Sequence, residues 1–204
     1  MIVKLTYSHL LAVYFAATDA ELVNGSRWYA DALEVCSNIA TDCSLAIDTV
    51  AGVMAALSPN NRWERNVADC RNLCLAYCLG GYADAEQIKV TTFNANKRKA
   101  LNILSGQLPL SVLSGLKVRA FFECIVGADS VCIDGHAYSI WQGERIATTS
   151  TPKISPKLYA AISADYRHAA GIINQITGLS YSAAQLQAIT WLTWRRLVAR
   201  GDNQ

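Results

Sequence analysis

The sequence predicts an all-α protein. Three observations carry that expectation: apolar residues recur at helical spacing along most of the chain, no stretch shows strand alternation, and Gly, Pro, Asn and Ser clusters punctuate the periodic segments. The 204 residues, 52% of them hydrophobic, suit one large domain or two small lobes with a substantial core. No internal repeat and no low-complexity tract interrupts that pattern.

The elements follow in order. Residues 4–17 read as a first helix; Lys4, Tyr7 and His9 break up the leader pattern that the apolar run 10–17 would otherwise make. Ser26 is the expected cap of a second helix running through Trp28, Ala32, Val35 and Ile39. Residues 46–57 are nearly all apolar, so this helix should be central and buried on most sides. It ends at Ser58, Pro59, Asn60 and Asn61, a turn rich in hydrogen-bonding side chains. A fourth helix spans about 63–79 and stops at Gly80 and Gly81. Its stripe includes Cys70, Cys74 and Cys78, a spacing that thiolate metal ligands could use, but no His lies nearby and free cysteines are usually core residues.

A fifth helix, about 95–104, opens with Lys97, Arg98 and Lys99, and Gly106 and Pro109 break the chain after it. Next comes a helix with Val118, Phe121, Phe122 and Ile125 on one face. A Gly-Ala-Asp-Ser break follows, and then Val131, Cys132 and Ile133 lead into Asp134. Another helical run, with Ala137, Tyr138, Ile140 and Trp141, starts directly afterwards, so Asp134 is placed as an N-cap. Two readings of it stay open: a plain cap, or a carboxylate held rigidly towards a cleft. Residues 142–156 form an irregular surface loop or flap, and two helices, 156–176 and 182–200, close the chain. Arg195, Arg196 and Arg200 suit the negative end of the last helix.

Charge is unevenly spread. Residues 1–86 hold ten acids and five Lys/Arg, whereas residues 87–204 hold six acids and thirteen. No acid lies between Glu86 and Glu123, while Lys89, Lys97, Arg98, Lys99, Lys117 and Arg119 do, a pattern that favours a polyanion such as nucleic acid. Seven scattered cysteines, with no run long enough to span a membrane, imply reduced thiols in a cytoplasmic protein.

Three blocks in order resemble the helix-hairpin-helix DNA glycosylases of the endonuclease III type. Ala55-Ala56-Leu57-Ser58-Pro59-Asn60-Asn61 is similar to the family's Leu-Ser-x-Gln/Asn turn, whose amide fills the gap left by an extruded base. Asn96-Lys97-Arg98-Lys99-Ala100-Leu101-Asn102-Ile103 is similar to its Lys-Ala-x-x-Ile helix start. Leu113-Ser114-Gly115-Leu116-Lys117, followed by Val131-Cys132-Ile133-Asp134-Gly135-His136-Ala137, looks like the hairpin and then the catalytic Val-Asp-Thr-His-Val segment.

The resemblance implies a single two-lobed helical domain over residues 1–204, with hairpin and catalytic segment at 109–141. It implies a DNA N-glycosylase that flips a modified or damaged base and cleaves its glycosidic bond, with Asp134 as the catalytic carboxylate. Asn60 would be the wedge, flanked by Ser58 and Asn61, and Lys97, Lys99, Gly115 and Arg119 would hold phosphates. Tyr138, Trp141 and His136 join the expected substrate- and DNA-binding residues: the two aromatics would flank the pocket, and His136 would bond backbone near the helix start. Lys117 stands where the hairpin's second glycine would be, and is the lysine nearest the place from which lyase-type members form a Schiff base, which makes it the second catalytic candidate beside Asp134. No cysteine follows Cys132, so neither an iron–sulfur cluster nor any other metal or cofactor is expected. DNA is the expected partner, and the protein is expected to be a monomer. Two alternatives are an enzyme like the α-glutamyl/putrescinyl thymidine pyrophosphorylases, which on this scaffold remodel a modified base in viral DNA, and a non-catalytic DNA- or protein-binding module.

Overall fold

A computed structural model describes residues 7–147 and 150–201, and it is all-α, with no strand among them. Residues 4–6 of the expected first helix, residues 148–149 of the long loop and the Arg200 side chain lie outside the described residues. The helices are α1 (Tyr7–Phe15), α2 (Asp19–Cys43), α3 (Ile47–Leu57), α4 (Trp63–Gln87), α5 (Asn94–Leu104), α6 (Pro109–Val112), α7 (Leu116–Ile125), α8 (Gly135–Gln142), α9 (Pro156–Thr177) and α10 (Ala183–Gly201). No single helix is long and apolar enough to cross a membrane.

The chain divides into two compact units. One is built from its two ends, residues 1–29 and 129–204, and the other from residues 30–128. Within the terminal unit, α1 packs on α8, α9 and α10, and α10 packs on α8 and α9. Leu10, Ile133, Ile140, Ile162, Tyr166, Ile173, Leu186 and Ile189 fill the space between them.

The middle unit is organised around α3. From Val50 to Leu57 every residue of that helix is buried, because α4, α5, α6 and α7 all pack against it. An apolar helix with no polar face has no stable place except inside such a ring.

Two expected boundaries differ. Ser26 lies inside α2, where its hydroxyl donates to the Val23 carbonyl. The cap is Thr18, whose hydroxyl accepts from the Glu21 N–H while the Glu21 carboxylate accepts from the Thr18 N–H, a reciprocal capping box. The glycine pair bends α4 without ending it. Gly81 takes φ 72°, ψ −159°, which breaks the helical path, and a further stretch then runs to Gln87.

Candidate functional site

Asp134 caps α8, with Oδ1 accepting from the Ala137 N–H at 2.8 Å. Its other oxygen takes no hydrogen bond from a described residue, and the side chain is half-buried. The segment before it is clamped by one phenol: Tyr159 Oη donates to the Val131 carbonyl at 2.8 Å and accepts from the Ile133 N–H at 3.0 Å. Val131 and Ile133 are themselves buried, so the aspartate enters its helix along a fixed path.

Beneath it lies Tyr166, fully buried, with no hydrogen bond of good geometry to its hydroxyl. Thr190 is beside it, but that hydroxyl is shared between the Leu186 and Gln187 carbonyls. Burial raises the Tyr166 phenol well above its ordinary range; contact with Thr190 offsets part of this, and the nearby charge of Asp134 adds to it.

The His136 ring makes no hydrogen bond among the described residues, which corrects the expected backbone contact. Its ring instead meets Trp191 edge-on at 6.3 Å, and the Arg195 guanidinium lies 4.6 Å over the Trp191 ring. Trp141 is half-buried and pinned by Nε1–H donating to Asp165 Oδ2 at 2.6 Å. Its carbonyl lies 3.2 Å from His9 Nδ1, a contact that needs the proton on that nitrogen. Tyr138 is 8% exposed and its hydroxyl accepts from Gln142 Nε2. So little open ring makes Tyr138 a core residue and leaves Trp141 as the more open aromatic of α8.

The other expected residues belong to the middle unit. Asn60 is exposed at the tip of the α3–α4 turn in the left-handed conformation, φ 56°. Around it the turn is braced. Ser58 Oγ donates to the Ala55 carbonyl at 2.9 Å, and Asn61 Nδ2 donates to Asp69 Oδ2 at 3.1 Å. The same carboxylate oxygen accepts from the Thr91 N–H at 2.8 Å. Thr92 Oγ1 donates to the Pro59 carbonyl and accepts from Asn96 Nδ2, both at 2.8 Å. Asp69 and Thr92 are buried, so this network sits under the turn and leaves only Asn60 projecting.

In the turn expected to be the hairpin, Gly115 has φ 85°, a conformation that a side chain would strain, and it leads straight into α7. Lys99 Nζ donates to Ser114 Oγ at 2.6 Å, which ties α5 to this turn, and Arg119 Nη1 donates to the Leu110 carbonyl at 3.0 Å. Lys117 is exposed on the first turn of α7, which has no side-chain cap. Lys97 Nζ donates to the Glu86 carbonyl, beside a polar pocket lined by Tyr82, Glu86, Asn94, Lys97, Arg98 and Leu101.

Tyr159, Asp69 and Thr92 escaped the sequence reading. Each acts by bonding backbone or an amide far along the chain, and no local spacing announces that. Arg195 and Trp191 were separable signals, i and i+4 on one helix, but the meeting of Trp191 with His136 required α8 and α10 to pack together.

Fold and site define an all-α protein of two helical units, with a rigidly capped aspartate in one and a braced, asparagine-tipped turn in the other. The chain belongs to a family of unknown function (DUF7178), whose model matches residues 3–197. No curated protein and no solved structure matches it.

Proposed function

We propose that the protein is a DNA glycosylase-like enzyme that uses Asp134 to cleave the N-glycosidic bond of a flipped, modified or damaged base. One observation carries the reading: a half-buried carboxylate with one oxygen locked to its helix and the other without a hydrogen bond from a described residue, at the end of a clamped segment. Breaking an N-glycosidic bond builds positive charge on the sugar, and a pre-aimed carboxylate stabilises that charge without reorganising.

Supporting features lie on both units. A projecting amide on a braced turn suits the gap left by a flipped base, and this is the role assigned to Asn60. Gly115 gives the first turn of α7 no side-chain cap, and the positive end of that helix suits a phosphate. Lys97, Lys99, Lys117 and Arg119 add positive charge to the same unit, Arg195 adds it over Trp191 in the other, and Trp141 flanks the flipped base. The reading needs no cofactor and no metal.

The test pairs a substrate panel with one variant. The protein is incubated with DNAs carrying damaged and naturally modified bases, then heated in alkali to cut abasic sites. Asp134→Asn keeps a good N-cap, so the helix should hold while turnover falls roughly 10²–10³-fold, about 3–4 kcal/mol of transition-state stabilisation. A cap with no chemical role predicts unchanged turnover and at most a small loss of melting temperature. A folded Asp134→Asn protein that excises at the wild-type rate would remove the carboxylate from the site.

A further inference from the structure

Six of the seven cysteines lie in the middle unit, five of them where α2 meets α4: Cys36 and Cys43 on the first helix, Cys70, Cys74 and Cys78 on the second. Cys36, Cys70 and Cys74 have no exposed surface, whereas Cys78 is open to solvent. Cys43 lies between these extremes at 6% exposure, on the last residue of α2. The thiol of Cys78 donates to the Cys43 carbonyl at 3.0 Å and also meets the Cys43 thiol.

A helix end is the easiest place for a backbone to adjust. Past Cys43 the chain leaves α2 through Ser44 at φ 51°, so a small shift there disturbs no helical hydrogen bond downstream. The two thiols already meet, so closure asks for side-chain rotation and the small backbone shift that the end of α2 allows.

We infer that Cys78 and Cys43 form a thiol–disulfide exchange site that closes to a reversible disulfide when the protein meets a small disulfide oxidant. The chemistry balances with oxidised glutathione as the reactant. The exposed Cys78 thiolate attacks one glutathione sulfur, forming a mixed disulfide and releasing one glutathione thiolate. The Cys43 thiol then gives up its proton and attacks the Cys78 sulfur, expelling the second glutathione. Two protein thiols are oxidised, one glutathione disulfide is reduced, and two glutathione thiols leave with the two protons.

Exposure fixes the order: the oxidant reaches Cys78, and the buried Cys43 resolves. Burial, followed by neighbouring Cys74 and Cys78, raises the Cys43 thiol to about 11, so the second step is the slower one at neutral pH. The bridge closes a loop of about 35 residues that contains α3 and the Ser58–Asn61 turn, and a loop of that size gains stability from closure. The site does not depend on the glycosidic reading, since it needs neither Asp134 nor DNA.

The experiment treats the reduced, full-length protein with oxidised glutathione, quenches in acid, and reads the intact mass and the peptide map. The expected product is lighter by two hydrogens, carries a Cys43–Cys78 cross-link, melts several degrees higher and reverts with a dithiol reductant. Cys43→Ala should trap a stable glutathione adduct on Cys78, and Cys78→Ser should give neither adduct nor bridge. Should Cys43→Ala fail to fold, the wild-type peptide map alone decides. A wild-type protein that stops at the glutathione adduct, stays unreacted, or cross-links any other cysteine pair would overturn the inference.

Discussion

At the scale of single residues, the best-defined ion pair joins Glu21 to Arg196. Arg196 Nε donates to Glu21 Oε1 at 2.7 Å and Nη2 donates to Oε2 at 2.9 Å, a two-point contact with side chains only 23% and 14% exposed. The arginine was expected only to suit the end of α10; it also donates to the Ala16 carbonyl, so it ties that helix to the turn before α2. Hydrogen bonding from Arg196 outweighs partial burial and pulls the Glu21 carboxyl from its usual 4.5 down to about 2. A depressed carboxyl stabilises the fold fully above its unfolded value and loses that contribution as pH falls through the folded one. Glu21→Gln keeps the capping box and removes only the charge. Thermal melts of both proteins across pH should therefore show the variant less stable at pH 7, with the gap closing as pH falls from about 4.5 towards 2. A gap of equal size at both ends of that range would mean that packing, not charge, holds the pair.

At the scale of elements, close helix contact makes the sharpest demand on sequence. A Cβ placed on Gly25 of α2 would lie 2.5 Å from the Ile189 Cα of α10. Backbone cannot rotate out of the way, so the two helices would have to separate. Gly25→Ala should cost about 2–3 kcal/mol, a drop of roughly 5–10 °C in melting temperature. Gly171 of α9 is the control: a Cβ there meets nothing within 4 Å, so Gly171→Ala should be neutral or stabilise by up to about 1 kcal/mol. Equal melting temperatures for the two variants would show that α2 and α10 can part at little cost.

The same contrast explains what was legible in the sequence. The burial of α3, the turn after it and the capping role of Asp134 were all readable, because each rests on residues within one turn of each other. The start of α2 was also written locally, as Thr18-x-x-Glu21, but Ser26 beside an apolar run competed with it. The kink at Gly81 and the Tyr159 clamp were not readable. One depends on whether a broken helix resumes, and the other on a contact across 28 positions of the chain.

At the scale of the molecule, the charge asymmetry along the sequence changes its meaning once the chain is folded. The acidic first part and basic remainder do not correspond to the two units. The middle unit carries nine acids and nine Lys/Arg, and the terminal unit seven and nine. What survives is a division within the middle unit. Its acids fall mainly on α2 and α4, while α5 and α7 carry Lys97, Arg98, Lys99, Lys117 and Arg119 with Glu123 as the one carboxylate among them.

A neutral unit with its cations gathered on a few helices attracts a polyanion to that side without raising net charge. The internal bonds of Lys97 and Lys99 do not prevent this, since each ends at a single neutral oxygen at a partly exposed site that a phosphate would outcompete. If these helices track a DNA backbone, affinity falls linearly on a log–log plot against salt. Reversing both lysines, Lys97→Glu with Lys99→Glu, should weaken binding to every DNA sequence alike and reduce that slope by about two. Titration of a labelled duplex at several salt concentrations reads both effects. An unchanged slope and affinity at low salt would make this an ordinary solvated face and would move the search for a DNA-binding surface to Arg195 and its neighbours on α10.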